Sequence, residues 1–318
     1  MHWAQTVVCL VGSSGSGKSL LAGKVAAAAK IPFVQQDSTS LTSQGYVGDD
    51  LDSPYKILTN MVADAKEASR GIIFLDEFDK KSSRYGRDVS GIAIQQELLC
   101  RLQATSPFLI GGKRQNDCRP FLFDGRPTGY ILAGVFSGLD EVMDKQAGKR
   151  GIGFASETGS RRHLYIQDCL KELGFLDELI NRVSVVVRLT DPRIEHIMQA
   201  TANGILNGYN QILAPKDIVL FPRDSAIRAI GDYSMQSKTF YRGAKAILAT
   251  IVEEIFFDPH PGVMFIELED VRRAIDRLSS GHVQNDDGGD STGSDDESGG
   301  APAEAEQDAT PESGLEGA

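Results

Sequence analysis

Residues 6–19 of this 318-residue chain read TVVCLVGSSGSGKS, and this stretch decides the fold. An apolar run typical of a buried strand leads into a loop of glycine and serine, and an alanine-rich segment with helical character follows. The loop matches G-x-x-x-x-G-K-S/T, a pattern in which backbone N–H groups of a glycine-rich turn surround the phosphates of a nucleotide. The residues predicted to bind nucleotide are Gly12, Ser13, Ser14, Gly15, Ser16, Gly17, Lys18 and Ser19. Lys18 adds a positive charge beside the terminal phosphates, and the Ser19 hydroxyl is a candidate ligand of Mg²⁺.

A second apolar run, residues 71–75, ends in two carboxylates, Asp76 and Glu77. A strand with this ending suits the Walker B position, where Asp76 holds Mg²⁺ and Glu77 orients or deprotonates the attacking water. Strands often end in acidic residues, so the run alone is a weak signal, and the phosphate loop upstream is what strengthens it. Together the two motifs predict hydrolysis of ATP with Mg²⁺ rather than binding alone.

Alternating strand and helix signals predict the fold class. Five short runs are expected to form strands buried on both faces, and they cover residues 6–11, 31–36, 71–75, 130–135 and 183–189. Segments compatible with helices lie between them, at residues 18–30, 54–69 and 92–104. This alternation predicts an α/β domain with a doubly wound parallel sheet over residues 1–190.

The character of the chain changes after residue 190. Helical apolar spacing recurs at residues 193–213, 223–235, 242–257 and 269–279, with one possible strand at 263–268, so residues 191–280 are predicted to form a smaller, mostly helical domain. Residues 281–318 contain eleven acidic residues, no Lys or Arg and scarcely an apolar residue. They are predicted to be a disordered acidic tail, because nothing in them offsets the entropy cost of ordering.

Composition excludes several classes of protein. The formal net charge of -11 belongs to the tail, and acidic and basic residues are balanced over the rest of the chain, so no basic surface for nucleic acid is expected. No apolar stretch approaches the length of a membrane span, and the first apolar run leads at once into the phosphate loop, which argues against a secretion signal. Four scattered cysteines without C-x-x-C spacing indicate reduced thiols in a cytoplasmic protein and no zinc site; they are Cys9, Cys100, Cys118 and Cys169.

Further motifs follow in a fixed order. Residues 39–50 read TSLTSQGYVGDD, residues 87–91 read RDVSG, and residues 174–182 read GFLDELINR. With the phosphate loop and the 71–77 strand, this series resembles the ClpX family of AAA+ unfoldases, which form hexameric rings and feed proteins to the ClpP peptidase. The resemblance covers residues 6–279 and implies the P-loop AAA+ fold.

The resemblance implies a central pore that grips substrate. Tyr46 lies between two glycines, and in the family this aromatic ring contacts a translocating polypeptide whatever its sequence; seen alone, the segment would read as a surface loop. A second pore loop and a basic loop at the pore entrance complete the set. The implied pore residues are Tyr46, Val47, Arg87, Asp88, Val89, Ser90, Lys113 and Arg114.

Three further elements are implied by the same resemblance. Ile152, Gly153 and Phe154 correspond to the loop that docks the ClpP-type peptidase, although this apolar pair could instead pack into its own core. Arg182 corresponds to the arginine finger that reaches a neighbouring subunit's nucleotide, with an ordinary surface ion pair as the alternative. Lys245 stands in Gly-Ala-Lys where the family has the sensor arginine of Gly-Ala-Arg, and lysine lacks the planar fork of arginine.

Two other departures from the family pattern are expected to matter. The chain begins a few residues before its first strand, so the family's upstream adenine-contacting segment and zinc-binding domain are expected to be absent. Residues 130–137 show no obvious polar first sensor, and that role stays unassigned.

The resulting expectation is a homohexameric ATPase without peptidase activity of its own, which unfolds and translocates unfolded or tagged proteins. The relative HslU shares the Gly-Tyr-Val-Gly loop but has a long insertion after Walker B, which is absent here. A nucleotide-binding subunit that regulates or scaffolds an AAA+ ring without hydrolysis is the alternative from another class. A DNA-loading AAA+ protein is disfavoured by the neutral ordered region and the pore tyrosine.

Overall fold

The computed structural model describes residues 5–42, 50–83, 89–111, 120–149 and 159–283. In chain order, the elements described up to residue 190 are β1 (Val7–Val11), α1 (Lys18–Ala28), β2 (Phe33–Asp37), α2 (Ser53–Met61), α3 (Ala65–Ser69), β3 (Ile72–Asp76), α4 (Val89–Gln103), β4 (Phe108–Ile110), β5 (Phe121–Phe123), β6 (Gly129–Gly134), α5 (Leu139–Lys149), α6 (Gly159–Glu172), α7 (Asp177–Ile180) and β7 (Val185–Arg188).

Five of these strands form one sheet in the order β2-β3-β6-β1-β7. Every neighbouring pair is parallel, and β1 lies between β6 and β7, with Val8 opposite both Ile131 and Val185. The predicted doubly wound parallel sheet is confirmed, and each of the five predicted runs overlaps one of its strands, which extends at most one residue beyond the run. Because all five strands point the same way, the loop after β1 and the loop after β3 emerge at the same edge of the sheet.

Both faces of the central strands β1, β3 and β6 are buried, which explains why these strands read as nearly continuous apolar runs, whereas the edge strand β7 is largely exposed. On one face, Cys9, Ile73 and Leu132 belong to the large core beneath the α2 and α4 side. On the other face, Leu10, Phe74 and Ala133 pack together with Ala22 of α1. Phe74 is fully buried, and its ring lies 5.9 Å from the ring of Phe33.

An antiparallel hairpin of β4 and β5 was not predicted, because strands of three residues are too short to show a period. Its phenylalanines contact the ring of Tyr55 in α2, with centroid distances of 5.3 Å to Phe108 and 5.1 Å to Phe123. The buried hydroxyls of Tyr55 and Tyr130 lie 2.7 Å apart and share a hydrogen bond. Burial raises the pKa of Tyr130 to about 12, so the pair stays neutral at physiological pH.

Two other local features differ from what the sequence indicates. The segment expected to be one helix at 54–69 is divided into α2 and α3, because the Asp64 side chain caps α3 by accepting a hydrogen bond from the N–H of Lys66. Residues 145–162 show no helical period in the sequence, yet α5 continues to Lys149 and α6 begins at Gly159.

The remaining elements are α8 (Ile194–Ala200), a π-helical turn (Thr201–Ile205), α9 (Leu206–Leu213), β8 (Ile218–Pro222), α10 (Asp224–Gln236), α11 (Phe240–Phe257), β9 (Gly262–Ile266) and α12 (Leu268–Val283). The strand expected at 263–268 is β9. It pairs in parallel with β8, a strand that was not predicted from the sequence. None of the described helices is long and apolar enough to cross a bilayer.

The chain divides into a compact unit, Met1–Ile275, and a second unit, Asp276–Ala318, of which residues 276–283 are described and continue α12. A domain boundary at residue 190 and disorder in the tail stay predictions, and residues 284–318 lie outside the described part.

Replacing Phe74 by Ala removes a fully buried ring from the middle of the sheet. We expect the free energy of unfolding to fall by about 3–5 kcal/mol, the usual cost of such a cavity. Urea denaturation measures this loss. Leu109→Ala is the control, because Leu109 is 59% exposed and its loss costs little. Equal effects of the two substitutions would contradict the assignment of the core.

Candidate functional site

The phosphate loop turns between the end of β1 and the start of α1 at Lys18. Gly15 and Gly17 have φ angles of 75° and 92°, in the left-handed region that favours glycine. A Cβ atom on Gly15 would also lie 2.3 Å from the carbonyl oxygen of Thr239. The spacing of the glycines in the motif therefore follows from backbone conformation and from the close approach of the chain just before α11.

Lys18 lies beneath the loop and is only 8% exposed. Its Nζ donates hydrogen bonds to the carbonyl oxygens of Gly12 at 2.7 Å and Ser13 at 2.9 Å. Burial lowers the pKa of Lys18, and the nearby carboxylates of Asp76 and Asp79 oppose that shift. The ammonium group is thus held by the loop whose phosphates it is predicted to contact. It also lies within the electrostatic field of Asp76 at the end of β3 and Asp79 after it.

Ser19 and Asp76 meet across the edge of the sheet. The Ser19 hydroxyl donates a hydrogen bond of 2.7 Å to Oδ2 of Asp76, and the Gln35 amide donates to the same oxygen at 3.2 Å. Within the loop, the buried Ser16 hydroxyl has no hydrogen-bond partner among the described residues. The unsatisfied Ser16 hydroxyl and the Ser19–Asp76 pair beside it fit the binding of a nucleoside triphosphate with a divalent ion.

Glu77 is exposed at the end of β3 and has a φ of 52°, an uncommon angle for a residue with a side chain. Its N–H donates to Oδ1 of Asp76 at 3.0 Å. The backbone therefore turns sharply between the two carboxylates. Asp76 faces Ser19, whereas Glu77 is left free to meet solvent.

Asp79 is a residue that sequence reasoning missed. It is 2% exposed, and its Oδ2 accepts a hydrogen bond of 3.2 Å from the N–H of Phe136. A Cβ atom on Gly134 would lie 2.4 Å from Asp79 Oδ1, so glycine at that position makes room for the carboxylate. Asp79 fixes the segment after β6 against the segment after β3 and acts on the pKa of Lys18.

The chain before and within α11 contacts the phosphate loop from the other side. The N–H of Tyr241 donates to the carbonyl oxygen of Gly15 at 3.3 Å, and a Cβ atom on Gly17 would lie 3.3 Å from the Tyr241 ring. The side chain of Ser13 donates a hydrogen bond to Asp191. The phosphate loop is thus bounded by residues 191 and 239–242 as well as by the sheet.

Arg242 is a second residue that sequence reasoning missed. It is exposed, and its charge adds to burial in lowering the pKa of Lys18. The sensor role was predicted for Lys245, one helical turn further along α11, which is exposed and whose carbonyl oxygen accepts a hydrogen bond from Tyr209. The role of Lys245 stays a prediction, and Arg242 is the α11 cation that acts on Lys18.

A cavity of about 450 Å³ opens beside the loop. Apolar side chains supply much of its wall, together with several polar and charged groups. It is lined by Ser16, Gly17, Leu20, Leu21, Lys24, Leu189, Thr190, Asp191, Pro192, Arg193, His196, Ala200 and Tyr241. An apolar cavity adjoining a phosphate loop has the chemistry to receive a nucleobase.

Arg182 lies at the opposite end of the sheet from the phosphate loop. It is exposed and precedes β7, and the N–H of Ser184 bonds to the carbonyl oxygen of Val7 at the start of β1. The phosphate loop follows the other end of β1, and a strand of five residues spans roughly 13 Å or more. The structure therefore does not bring Arg182 to the phosphate loop of its own chain.

The other predicted site residues lie outside the described structure. Val89 and Ser90 begin α4, but their side chains are not described. The predicted site residues that lie wholly outside the described ranges are Tyr46, Val47, Arg87, Asp88, Lys113, Arg114, Ile152, Gly153 and Phe154.

Comparison with known proteins places this site in a family. Residues 8–112 match the AAA family, "ATPase family associated with various cellular activities". The protein "ATP-dependent Clp protease ATP-binding subunit ClpX" of Azotobacter vinelandii is 30% identical over 316 residues, which cover 88% of this chain and 71% of that protein. The protein of the same name from Treponema denticola is 32% identical over 270 residues, and ClpX 2 of Wolinella succinogenes is 31% identical over 263 residues.

These similarities run over most of the chain. Each of the latter two alignments covers 79% of this chain and 65% of the relative, so the chain spans about two thirds of the length of those proteins. The AAA match contains the phosphate loop, Asp76 and Glu77, whose geometry is described above. The chain belongs to the ClpX family of ATP-binding subunits of the ATP-dependent Clp protease and carries an AAA ATPase domain.

Proposed function

We propose that this chain hydrolyses ATP at the subunit interfaces of a homohexameric ring, and that hydrolysis drives unfolding and translocation of proteins into a ClpP-type peptidase in the cytoplasm. The observation that carries the proposal is the meeting of Ser19 and Asp76 at 2.7 Å, with Lys18 and Glu77 beside them. Both motifs of an ATPase are therefore assembled at one edge of the sheet.

The roles of these residues follow from their positions. Backbone N–H groups of the loop and the start of α1 receive the phosphates, because the N-terminus of a helix favours negative charge. Lys18 supplies a point charge at the terminal phosphates. A divalent ion held by Ser19 and Asp76 would offset the charge of the phosphate oxygens. Glu77, free of Ser19, orients the attacking water and accepts its proton.

The position of Arg182 supports the proposal of a ring. Its place at the far end of β1 means that it can assist hydrolysis only on the nucleotide of another copy. A head-to-tail contact of this kind repeats until a ring closes. Such a contact would also cover apolar surface: one face of the β8–β9 pair exposes Val219, Phe221, Val263 and Phe265.

The contact between α11 and the phosphate loop supports a conformational cycle. Tyr241 and Arg242 approach the loop from the C-terminal helical region, so loss of the terminal phosphate changes what they contact. We infer that hydrolysis shifts residues 191–280 relative to the sheet. The family resemblance assigns the grip on substrate to Tyr46 and Val47, the further pore contacts to residues 87–90 and 113–114, and peptidase docking to residues 152–154.

Glu77→Gln removes the proton acceptor but keeps the shape of the side chain. We expect Mg-ATP binding to persist, while turnover falls by about 100-fold or more, as for loss of a general base. Phosphate release and nucleotide binding measure the two properties separately. The control is Glu67→Gln, an exposed glutamate in α3 away from the loop. Undiminished turnover in Glu77→Gln would refute the assignment and favour another base.

Arg182→Ala should lower turnover by about a thousandfold, since arginine fingers have effects of this size. Mixing this variant with Glu77→Gln tests whether Arg182 acts between subunits. An Arg182→Ala subunit keeps its own Glu77, and a neighbouring Glu77→Gln subunit supplies the missing Arg182, so the site between them is complete. In random rings mixed one to one, about a quarter of the sites should regain activity. If the mixture stays as inactive as the separate variants, Arg182 does not act across an interface.

The whole activity is tested by degradation of a tagged, folded fluorescent protein with ATP and a ClpP-type peptidase. We expect degradation by the wild-type chain and loss by at least about tenfold in Tyr46→Ala, with ATPase within about twofold. Tyr46→Phe is the matched control, because it keeps the ring. Deleting residues 152–154 should remove the response to peptidase while unfolding continues. A wild-type chain that hydrolyses ATP but unfolds nothing would overturn the proposal.

A further inference from the structure

A buried carboxylate joins the flanks of two predicted pore segments. Asp52 occupies the N-cap position of α2, shortly after residues 43–49, and is 2% exposed. Its Oδ2 accepts a hydrogen bond of 3.0 Å from the N–H of Gly111, the residue before 112–119. Its Oδ1 accepts a hydrogen bond of 2.6 Å from Nη2 of Arg101. Both oxygens are therefore occupied, and the carboxylate orientation is fixed.

Arg101 links Asp52 to α4, the helix that follows residues 84–88. Its side chain is 14% exposed, and its guanidinium lies 4.4 Å from the centroid of the Phe108 ring in β4. Glu97, one turn earlier on α4, lies 3.9 Å from the same guanidinium nitrogen. Burial raises the pKa of the Glu97 carboxyl, so Asp52 is the stronger anionic partner of Arg101.

A second set of buried contacts joins the remaining flanks. Lys81, which precedes residues 84–88, donates from Nζ to the carbonyl oxygen of Leu41 at 2.9 Å, just before residues 43–49. The fully buried Gln95 donates to the carbonyl oxygen of Lys81 at 2.7 Å. Its own oxygen accepts from the N–H of Leu176 at 2.9 Å, in the segment that leads to Arg182.

Ordinary packing does not require these charges. A buried ion pair adds little to stability compared with apolar side chains of the same size, because desolvation offsets the attraction. Loss of one partner is costly, however, since it leaves the other charge buried alone. Such a pair instead restricts the chain to the one arrangement in which every buried charge is satisfied.

We propose that Asp52, Arg101, Lys81 and Gln95, the loop-base network, are positioning residues that hold the flanks of the three predicted pore segments in one frame. The frame ties a displacement of one flank to the other flanks, so that one ATP hydrolysed yields one coordinated pull. The pore role of Tyr46, Val47, residues 87–90 and residues 113–114 rests on the proposed function, whereas the linkage of the described flanks stands on the contacts alone.

Hydrogen exchange of the full chain with Mg-ATP tests the linkage. In Asp52→Ala, peptides that contain Gly111 should exchange about tenfold faster, the effect of losing one hydrogen bond to a charged group. Arg101→Met should accelerate the same peptides, although it does not touch Gly111 directly. The control is Asp124→Asn, which breaks an exposed ion pair with Arg126 at 2.7 Å on the same hairpin. Unchanged exchange in Arg101→Met, or an equal change in the control, overturns the linkage.

The number of ATP molecules hydrolysed per tagged protein degraded tests the coupling. We expect this ratio to rise about fivefold or more in Asp52→Asn and in Arg101→Met, with ATPase alone changed by about twofold at most. Arg101→Lys keeps the charge and should restore part of the coupling. If ATPase and degradation fall in proportion, the network is only structural and the proposal fails.

A further variant guards against misfolding. Asp52→Asn/Arg101→Met removes both charges of the Asp52–Arg101 pair, so neither residue is left as a lone buried ion beside the other, and it should fold even where a single variant does not. A raised ratio in this double variant supports the proposal, and a normal ratio overturns it. A wild-type chain that unfolds no protein would end the proposed function but not the linkage, which the exchange of Gly111 decides separately.

Discussion

The pairing of β1 and β3 on either side of β6 is the constraint on which the site depends. Ser19 and Asp76 are distant in sequence, and they meet only because both strands run parallel and end at one edge. A slip of one residue in the register of β3 would turn Asp76 to the other face of the sheet, away from Ser19, and would misplace the apolar side chains that now pack against each face. Burial on both faces of the sheet therefore fixes the geometry of the phosphate site.

At that edge the chain departs from ordinary backbone rules, and each departure brings a functional group into place. Glu77 adopts a left-handed conformation directly after Asp76, which separates the two carboxylates. Gly134 leaves room for Asp79, and Gly15 leaves room for Thr239. At this edge, strain and close approach accompany the residues expected to meet phosphate, whereas the strands of the sheet are regular. The regular part supplies stability, and the irregular part supplies the site.

The sequence predicted what depends on local pattern. The five sheet strands, the phosphate loop and the acidic end of β3 each carry a period or a motif, and the structure confirms the parallel sheet built from them. The β4–β5 hairpin was too short to show a period. Arg242 was overlooked because the motif drew attention to Lys245, and only the path of α11 shows which of the two acts on Lys18. Asp52 lies 49 residues from Arg101 and 59 residues from Gly111 in the sequence, so no local pattern could predict their contact.

The approach of Thr239 and Tyr241 to the phosphate loop has a consequence for protein engineering. A chimera that joined residues 1–190 of this chain to the C-terminal region of a relative would separate Gly15 from the carbonyl and the N–H that now contact it. Because both contacts are made by backbone atoms, they depend on the path of the chain at the start of α11 and not on any local motif. The unit that can be exchanged without loss of nucleotide binding is therefore the loop together with the start of α11, and a graft should carry both.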